Sequence, residues 1–247
     1  MGKDDESGGF ISEMLRDKEL KEAFIAKLRA ETTRAEFQAK TEEQVARSNL
    51  AQADIAEVMM RNAHREEAEL LSTNKFHRVY VFGTEVTADS VGRCVDQLTK
   101  WSRLEPSCNM EIVLNSPGGG VIAGMAMYDY IIYLRSLGHN ITTVALGHAA
   151  SMAGILLQAG TTRVIGRESW LLIHEISFAA IGKIGEIEDT TEWVKRIQKR
   201  VLDVFSARSK LTPKQIEKRW KRKDWWLSSD DCLKLGLVDE VRGFGKT

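Results

Sequence analysis

One long stretch of the chain has a composition that favours a helix throughout. Residues 11–71 contain neither proline nor glycine, and alanine, glutamate, lysine, arginine and glutamine dominate them. These residue types lose little free energy on entering a helix, so the segment is predicted to be helical. Its apolar stripe is narrow, with Leu20, Phe24 and Leu28 on one face and scattered apolar residues beyond them. We therefore expect a partner-dependent or coiled arm rather than a core element.

From residue 75 onward, short β-rich runs alternate with amphipathic segments. This alternation predicts an α/β domain with a largely parallel sheet and right-handed crossovers. We expect two regions: a charged helical extension over 1–74, acting as a propeptide or an assembly arm, and an α/β domain over 75–247. The predicted strands are 78–82, 110–114, 140–146, 162–165 and 170–173. The predicted helices are 89–104, 122–137, 147–159, 186–209 and a short one opened by Thr212 and Pro213.

The charge balance and the cysteine content argue against some classes of function for this chain. The chain has 35 basic and 35 acidic residues, which gives no net charge to attract nucleic acid. Twelve of the basic residues fall within 195–223, a cluster interpreted as a solvated helical face. The three cysteines are odd in number and share no metal-ligand spacing, which predicts packing roles in a reducing compartment. We expect no metal and no cofactor. The first residues lack the pattern of a signal or transit peptide, and no apolar run is long enough for a membrane helix, which predicts a cytoplasmic protein without a membrane segment.

A serine surrounded by small residues is the first candidate for chemistry. Residues 147–154 read Gly-His-Ala-Ala-Ser-Met-Ala-Gly, and Ser151 is the only hydroxyl among them. Between a buried strand and a helix start, its Oγ would lie against backbone N–H donors at a positive helix end. This is the setting of an activated nucleophile. A run of small residues that merely allows close packing is the alternative.

A glycine-rich turn and two ionisable residues complete a possible active site. Residues 115–120 read Asn-Ser-Pro-Gly-Gly-Gly, a backbone nest suited to an oxyanion or a phosphate, although a plain tight turn has the same pattern. The segment lacks the lysine of a P-loop, which argues against a nucleotide. His174 ends a predicted strand, where a surface or core histidine is the alternative. Asp224 precedes two tryptophans that we expect to shield it from water, and an acid at a helix end paired with Lys223 or Arg222 is the alternative. His148 competes as a base, but it is expected in a loop and directed elsewhere.

Taken in order, these motifs resemble the proteolytic subunit of the Clp protease, over about residues 75–242. The resemblance implies a crotonase-like α/β fold of repeated β-β-α units with a long handle helix. It also implies a homo-oligomer of stacked, heptameric rings with the active sites inside. In the terms of that family, Ser151 is the nucleophile, His174 the general base, Asp224 its orienting acid, and the N–H groups of Gly119 and Met152 the oxyanion hole. The motifs are Asn115-Ser-Pro-Gly-Gly, Ala123-Gly-Met, Gly147-x-Ala-Ala-Ser-Met, Ile173-His, Asp224-x-x-Leu-Ser and Gly236-Leu-Val-Asp.

The chain also departs from the family pattern. Glu175 and Ile176 stand where the family has Gln-Pro, and residues 177–182 lack its glycine pair. Arg222 and Lys223 replace an acidic–arginine pair that helps to join rings. Glu111 stands where an aromatic residue docks ATPase loops, and the long arm replaces a short gate. We expect substrate pairing, ring stacking and dependence on an ATPase to differ accordingly.

The prediction from the sequence is a serine endopeptidase of Clp type, acting on peptides or proteins within a self-compartmentalised oligomer. Whether an AAA+ unfoldase supplies its substrates is left open. A phage capsid-maturation protease of the same fold, with a capsid or scaffold protein as partner, is a close alternative. A crotonase-fold acyl-CoA hydratase or isomerase is another, although it would not need a serine paired with a histidine. A scaffold protein with a vestigial site is the third.

Overall fold

A computed structural model of the chain describes residues 18–243. The chain divides into two units, residues 1–69 and residues 70–247. Residues 1–17 of the predicted extension and residues 244–247 of the predicted α/β domain lie outside the described residues.

The arm is a single helix, α1, which spans Lys18–Leu71. Every one of its 54 residues is exposed. Even large apolar side chains lie in solvent, among them Phe37, which is 72% exposed. Ion pairs one turn apart, between Arg47 and Glu43 and between Arg61 and Glu57, add a few tenths of a kcal/mol each. The predicted helical extension is confirmed, and its stability rests on propensity and local pairs rather than on burial.

The rest of the described chain alternates strands and helices, which confirms the predicted α/β class. The parallel strands and crossover helices form in the predicted places, with boundaries that move by a few residues. The elements are β1 (Val79–Phe82), α2 (Ala88–Leu104), β2 (Asn109–Ser116), α3 (Val121–Ser136), β3 (Asn140–Ala150), α4 (Met152–Leu157), β4 (Thr162–Gly166), β5 (Trp170–Ile173), α5 (Ile184–Ala207), α6 (Pro213–Trp220), β6 (Trp225–Leu227), α7 (Ser229–Leu235) and β7 (Glu240–Arg242).

The strands form one sheet in which β3 is the branch point. The main path runs β1-β2-β3-β4-β7, and all its pairs are parallel. The first half of β3 pairs with β4 through Ala145, whereas its last residues, from His148, pair with β5. Strand β6 then pairs antiparallel with β5. The change of partner along β3 separates its end from β4 and brings it beside β5.

Three elements were not predicted, and the predicted boundary between the third strand and the helix that follows it was wrong. β6, α7 and β7 are too short for a periodic apolar pattern to identify them. Residues 147–150, expected at the start of a helix, extend β3 instead, so His148 lies in a strand rather than in a loop. The reason is tertiary, because these residues form their ladder with β5. The predicted start at Thr212 is confirmed: its hydroxyl accepts a hydrogen bond from the Gln215 N–H, with Pro213 in the first turn.

A buried arginine joins β4 to the residue that precedes β7, at one edge of the sheet. Arg163 on β4 is 3% exposed and makes a two-pronged contact with Asp239, just before β7, at 2.6 and 3.1 Å. The Arg163 N–H also donates to Asp239, and a third guanidinium nitrogen donates to Gln158. Burial opposes the ionisation of Asp239. The hydrogen bonds from Arg163 and the charges of Arg163 and Arg208 outweigh it and lower the pKa of this carboxyl.

We predict that Asp239→Ala lowers the free energy of unfolding at pH 7 by about 2–3 kcal/mol, because it leaves the Arg163 charge buried and unpaired. The carboxyl has a lower pKa in the folded chain than in the unfolded chain. Its contribution is therefore present above the unfolded value, about 4, and is lost as the pH falls through the folded-state pKa. Urea denaturation at several pH values measures this. Asp230→Ala, which removes the exposed Arg167–Asp230 contact, is the control and should cost less than about 1 kcal/mol. Equal losses in the two variants would contradict the prediction.

Candidate active site

Ser151 occupies the turn that joins β3 to α4. Its backbone is left-handed, with φ 54° and ψ −120°, a conformation that is costly for a residue with a side chain. The Ser151 N–H donates to the Leu172 carbonyl oxygen on β5 at 2.9 Å, and the Ser151 carbonyl accepts from the Gly154 N–H at 3.0 Å. Bonds on both sides of the residue therefore hold the turn. A sharp strand-to-helix turn of this kind is typical of exposed nucleophiles.

Two glycines allow other backbone segments to approach this turn closely. A Cβ on Gly118 would lie 2.6 Å from the Ala150 carbonyl oxygen and 2.7 Å from the Ser151 Cβ. A Cβ on Gly124 of α3 would lie 2.2 Å from the Met152 Cγ. Gly118 has φ +92° and its neighbours are fixed atoms of the turn, so this position requires glycine; at Gly124 a Cβ would force the Met152 side chain to move. The glycine-rich turn is thereby packed directly against Ser151, and α3 packs against the side chain of Met152.

The glycine-rich turn is fixed by a short bridge to residue 86. The Val86 N–H donates to the Gly118 carbonyl, and the Gly120 N–H donates to the Val86 carbonyl, each at 2.7 Å. Neither bond uses the N–H of Gly119, the residue between them, which has φ +142°. The turn therefore holds the Gly119 peptide rigidly beside Ser151.

A cavity of about 150 Å³ brings together four of the five predicted site residues. Ser151, His174, Gly119 and Met152 all line it, whereas Asp224 is not among the lining residues. Most of the other walls are aliphatic or aromatic, and Glu175 and Ser177 add polar groups. An apolar pocket with a few convergent polar groups is typical of a binding or catalytic site. The apolar walls are Val121, Ile155, Ile173, Ile176, Val201 and Phe205.

His174 follows the last residue of β5 and is half-buried. Its Nδ1 contacts the main-chain carbonyl oxygen of Glu175. In the antiparallel pair of β5 and β6, Ile173 lies opposite Trp225, so one further step of the register places Asp224 opposite His174. The two strands thus bring the predicted base and its predicted acid to the same end of the ladder.

The expected shielding of Asp224 by the two tryptophans is wrong. Asp224 is exposed, and Trp226 is 48% exposed. The reason lies in the sheet: among the described residues, β6 pairs with β5 alone and forms an edge. Side chains on a short edge strand have fewer neighbours to cover them. The carboxylate of Asp224 therefore meets water in this arrangement.

The other candidates do not join this cavity. His148 is on β3, where its backbone N–H donates to the Asn115 Oδ1 at 3.3 Å, and it is not among the lining residues. Glu111 makes a two-pronged ion pair with Arg242 at 2.9 and 2.7 Å. The hydrogen bonds that Arg242 donates to Glu111 raise the pKa of Arg242. A charged pair therefore occupies the position where the resemblance leads one to expect an exposed aromatic residue.

The cysteines offer no alternative nucleophile. Cys94, Cys108 and Cys232 are all buried free thiols. Burial raises the pKa of the Cys232 thiol to about 12, and it also raises the pKa of Cys94 and of Cys108. Thiols of this kind are protonated and unreactive at neutral pH. Within residues 18–243, no cluster of three or more histidine, cysteine, aspartate or glutamate side chains could hold a metal ion, and no helix is long and apolar enough to cross a membrane.

Comparison with known proteins relates this chain to a family. The Clp protease family model matches residues 63–243. The ATP-dependent Clp protease proteolytic subunit of Porphyromonas gingivalis is 29% identical over 177 residues, which cover 71% of this chain and 78% of the relative. The subunit of Bacteroides thetaiotaomicron is 28% identical over 179 residues, covering 71% and 79%. Proteolytic subunit 1 of Chlamydia felis is 30% identical over 168 residues, covering 66% and 80%. The chain therefore belongs to the Clp protease family.

Proposed function

We propose that this chain is a serine endopeptidase in which Ser151 is the nucleophile and His174 the general base. One observation carries the proposal: Ser151, on its left-handed turn, shares a cavity with His174 and with the rigid Gly119 peptide. A nucleophile, a base and a backbone donor around one cavity are the components that acyl transfer needs. The membership of the chain in a family of proteases supports the same chemistry.

In the proposed reaction, His174 takes the proton of the Ser151 hydroxyl while Oγ attacks the carbonyl carbon of the scissile peptide bond. The tetrahedral intermediate collapses as the imidazolium gives that proton to the leaving amine. Water, deprotonated by His174, then attacks the acyl-enzyme. The second collapse returns the proton to Ser151 and releases the acid product.

The Gly119 and Met152 N–H groups are the proposed oxyanion hole. Both residues line the cavity with Ser151, and Met152 is the residue directly after the nucleophile. The bonds to Val86 leave the Gly119 N–H out of the bridge that fixes its turn. Two such donors can contribute about 3–4 kcal/mol to lowering the barrier.

Asp224 is proposed to orient His174 by accepting a hydrogen bond from Nδ1. The register of β5 and β6 supports this role, because its last pair, Ile173 with Trp225, directly precedes His174 on one strand and directly follows Asp224 on the other. In the present arrangement, Nδ1 contacts the Glu175 carbonyl oxygen instead. The triad is completed when Nδ1 moves from that carbonyl to the Asp224 carboxylate. Catalytic hydrogen bonds often tighten in this way only when substrate binds.

The substrate class follows from the walls of the cavity. Because its lining is mainly aliphatic and aromatic, we propose that it accepts peptide segments with an apolar residue beside the scissile bond. Protein substrates reach such a site only as unfolded or extended segments.

Assembly and partners are further parts of the proposal. A homo-oligomer of stacked heptameric rings is what the family implies, and a cytoplasmic location fits the three free thiols. The relatives named above are ATP-dependent, but the Glu111–Arg242 ion pair gives this chain a charged surface where an AAA+ unfoldase would meet apolar side chains. The wholly exposed helix α1 favours a partner that covers it, such as the capsid or scaffold protein of a phage maturation protease.

We predict that Ser151→Ala lowers kcat for a short fluorogenic peptide by at least about 1,000-fold, because the nucleophile is lost. A fluorophosphonate probe should label the unchanged chain at Ser151 and leave the variant unlabelled, as read by peptide mass spectrometry. Ser136→Ala is the control: its exposed hydroxyl bonds only to the Tyr133 carbonyl, so activity should stay within about twofold. A fully active Ser151→Ala variant would exclude the protease and favour an acyl-CoA enzyme of the same fold.

We predict that Gly118→Ala lowers kcat by about 100-fold or more, because the new Cβ would collide with Ala150 and Ser151 at a φ of +92°. Gly92→Ala on α2 is the matched control, since its Cβ would meet nothing within 4 Å. The control should keep its activity and gain about 0.5–1 kcal/mol of stability. Peptide hydrolysis and thermal unfolding measure both effects. Full activity in Gly118→Ala would show that the close approach is not required.

We predict that deleting residues 1–69 leaves hydrolysis of a short peptide within about twofold, because no residue of the described arm from 18 to 69 is buried. Particle imaging of the full chain and the deletion then reports what the arm contributes to assembly. A loss of peptidase activity with the fold intact would instead assign the arm a direct part in building the site.

A further inference from the structure

Glu175 makes two contacts that the catalytic scheme does not use. The residue directly follows His174, is half-buried and lines the same cavity as Ser151. Its main-chain carbonyl contacts the His174 Nδ1. Its carboxylate reaches across to another segment, where Oε2 accepts a hydrogen bond from the Arg222 N–H at 3.0 Å. One residue therefore links the base to the segment that carries its proposed acid.

The Arg222 N–H follows the end of α6 and donates to an acceptor outside that helix. On either side of it, the Lys221 N–H donates to the Glu217 carbonyl at 3.1 Å and the Lys223 N–H to the Trp220 carbonyl at 3.0 Å. The Arg222 N–H, by contrast, leaves the helix end and finds its acceptor in Glu175. A charged acceptor makes this bond stronger than one to a neutral oxygen.

Arg222 also has a conformation that needs support. Its φ is +58°, in the left-handed region that residues other than glycine rarely occupy. Such a backbone persists when surrounding contacts determine it. The bond to Glu175 is such a contact, and it lies two residues before Asp224. The turn from which the chain enters β6 is thus bonded to Glu175.

The register explains why this matters for the site. Ile173 pairs with Trp225, and the next step places His174 opposite Asp224. The side-chain bond from the Arg222 N–H to Glu175 joins the two segments just beyond the end of this ladder. It acts at the start of a three-residue edge strand whose buried anchor, Leu227, lies at the other end of the strand.

We propose that Glu175 is a positioning residue, whose carboxylate holds the Arg222 turn against the end of β5 and so keeps Asp224 opposite His174. This inference rests on the proposed function. It assigns Glu175 no contact with the reacting atoms, and it needs the carboxylate as an acceptor rather than as a charge beside the imidazole. A glutamine at this position can make the same bond, whereas an alanine cannot.

The first test compares Glu175→Ala with Glu175→Gln in the full chain, assayed on a short fluorogenic peptide. We expect the alanine variant to lose about tenfold in kcat with KM changed by less than about twofold, because the walls of the cavity remain. The glutamine variant should stay within about threefold of the unchanged chain. Arg222→Ala keeps the donor N–H, and Glu188→Ala removes an exposed acid of α5, so both controls should match the unchanged chain.

A double-mutant cycle separates positioning from direct action. If Glu175 works through Asp224, adding Glu175→Ala to an Asp224→Ala chain costs less than about twofold in kcat. If the kcat losses of Glu175→Ala and Asp224→Ala multiply in the double variant, the inference is overturned. A glutamine variant as impaired as the alanine variant would also overturn it. An active Asp224→Ala chain together with an inactive Glu175→Ala chain would also overturn it, since Glu175 would then be the orienting acid itself.

Hydrogen–deuterium exchange tests the contact without relying on activity. The Arg222 amide should exchange about tenfold faster in Glu175→Ala than in the unchanged chain, while Glu175→Gln keeps the protection. If the Arg222 amide exchanges at the same rate in the alanine variant and in the unchanged chain, the inference about Glu175 is overturned while the proposed function is unaffected. An unchanged chain that neither cleaves peptide nor reacts with the fluorophosphonate probe overturns the proposed function, whatever the amide shows.

Discussion

The site depends on the left-handed turn at Ser151, which has room to form because the residue packed against it, Gly118, is a glycine. β3 leaves β4 and pairs with β5 over its last residues, which carries Ser151 to the Leu172 carbonyl. Gly118 then allows the glycine-rich turn to approach Ser151 at a distance that no Cβ permits, and Gly124 leaves room for the Met152 side chain. The strain at Ser151 is thus held by a strand pair on one side and by close backbone packing on the other. The same packing forms the wall of the cavity that contains His174.

Arginine side chains fix the opposite end of the short helix behind the serine. Arg135 donates to the Ala159 carbonyl at 2.7 Å, and Arg208 donates to the Gln158 and Thr161 carbonyls at 3.3 and 2.8 Å. The bonds to Gln158 and Ala159 satisfy carbonyl groups at the end of the helix, and the bond to Thr161 holds the segment that follows it. Arg163 and its partner Asp239 tie the neighbouring strands together. Helix α4 is therefore anchored at both ends, and a rigid element presents the nucleophile.

Glu175 shows how a departure from a family pattern acquires meaning only in three dimensions. In the sequence it is a substitution with no assigned role. In the structure its carboxylate accepts from the Arg222 N–H and its main-chain carbonyl contacts the His174 Nδ1, so it touches both the base and the segment that leads to Asp224. The Glu111–Arg242 pair, which joins residues far apart in the chain, is a second case. Neither partner could be identified from local composition, because the contacts form between segments that the fold alone brings together.

The sequence by itself determined the features that depend on local preference and periodicity. They are the helical arm, the alternation of strands and helices, the cap at Thr212, and the glycine-rich turn that the structure places beside Ser151. Only the tertiary structure decided what depends on pairing between distant segments. It placed His148 in a strand, left Asp224 exposed on an edge, and directed the His174 Nδ1 to the Glu175 carbonyl. The physical reason is that strand register and burial are properties of neighbours, and a linear pattern does not specify which neighbours a residue will have.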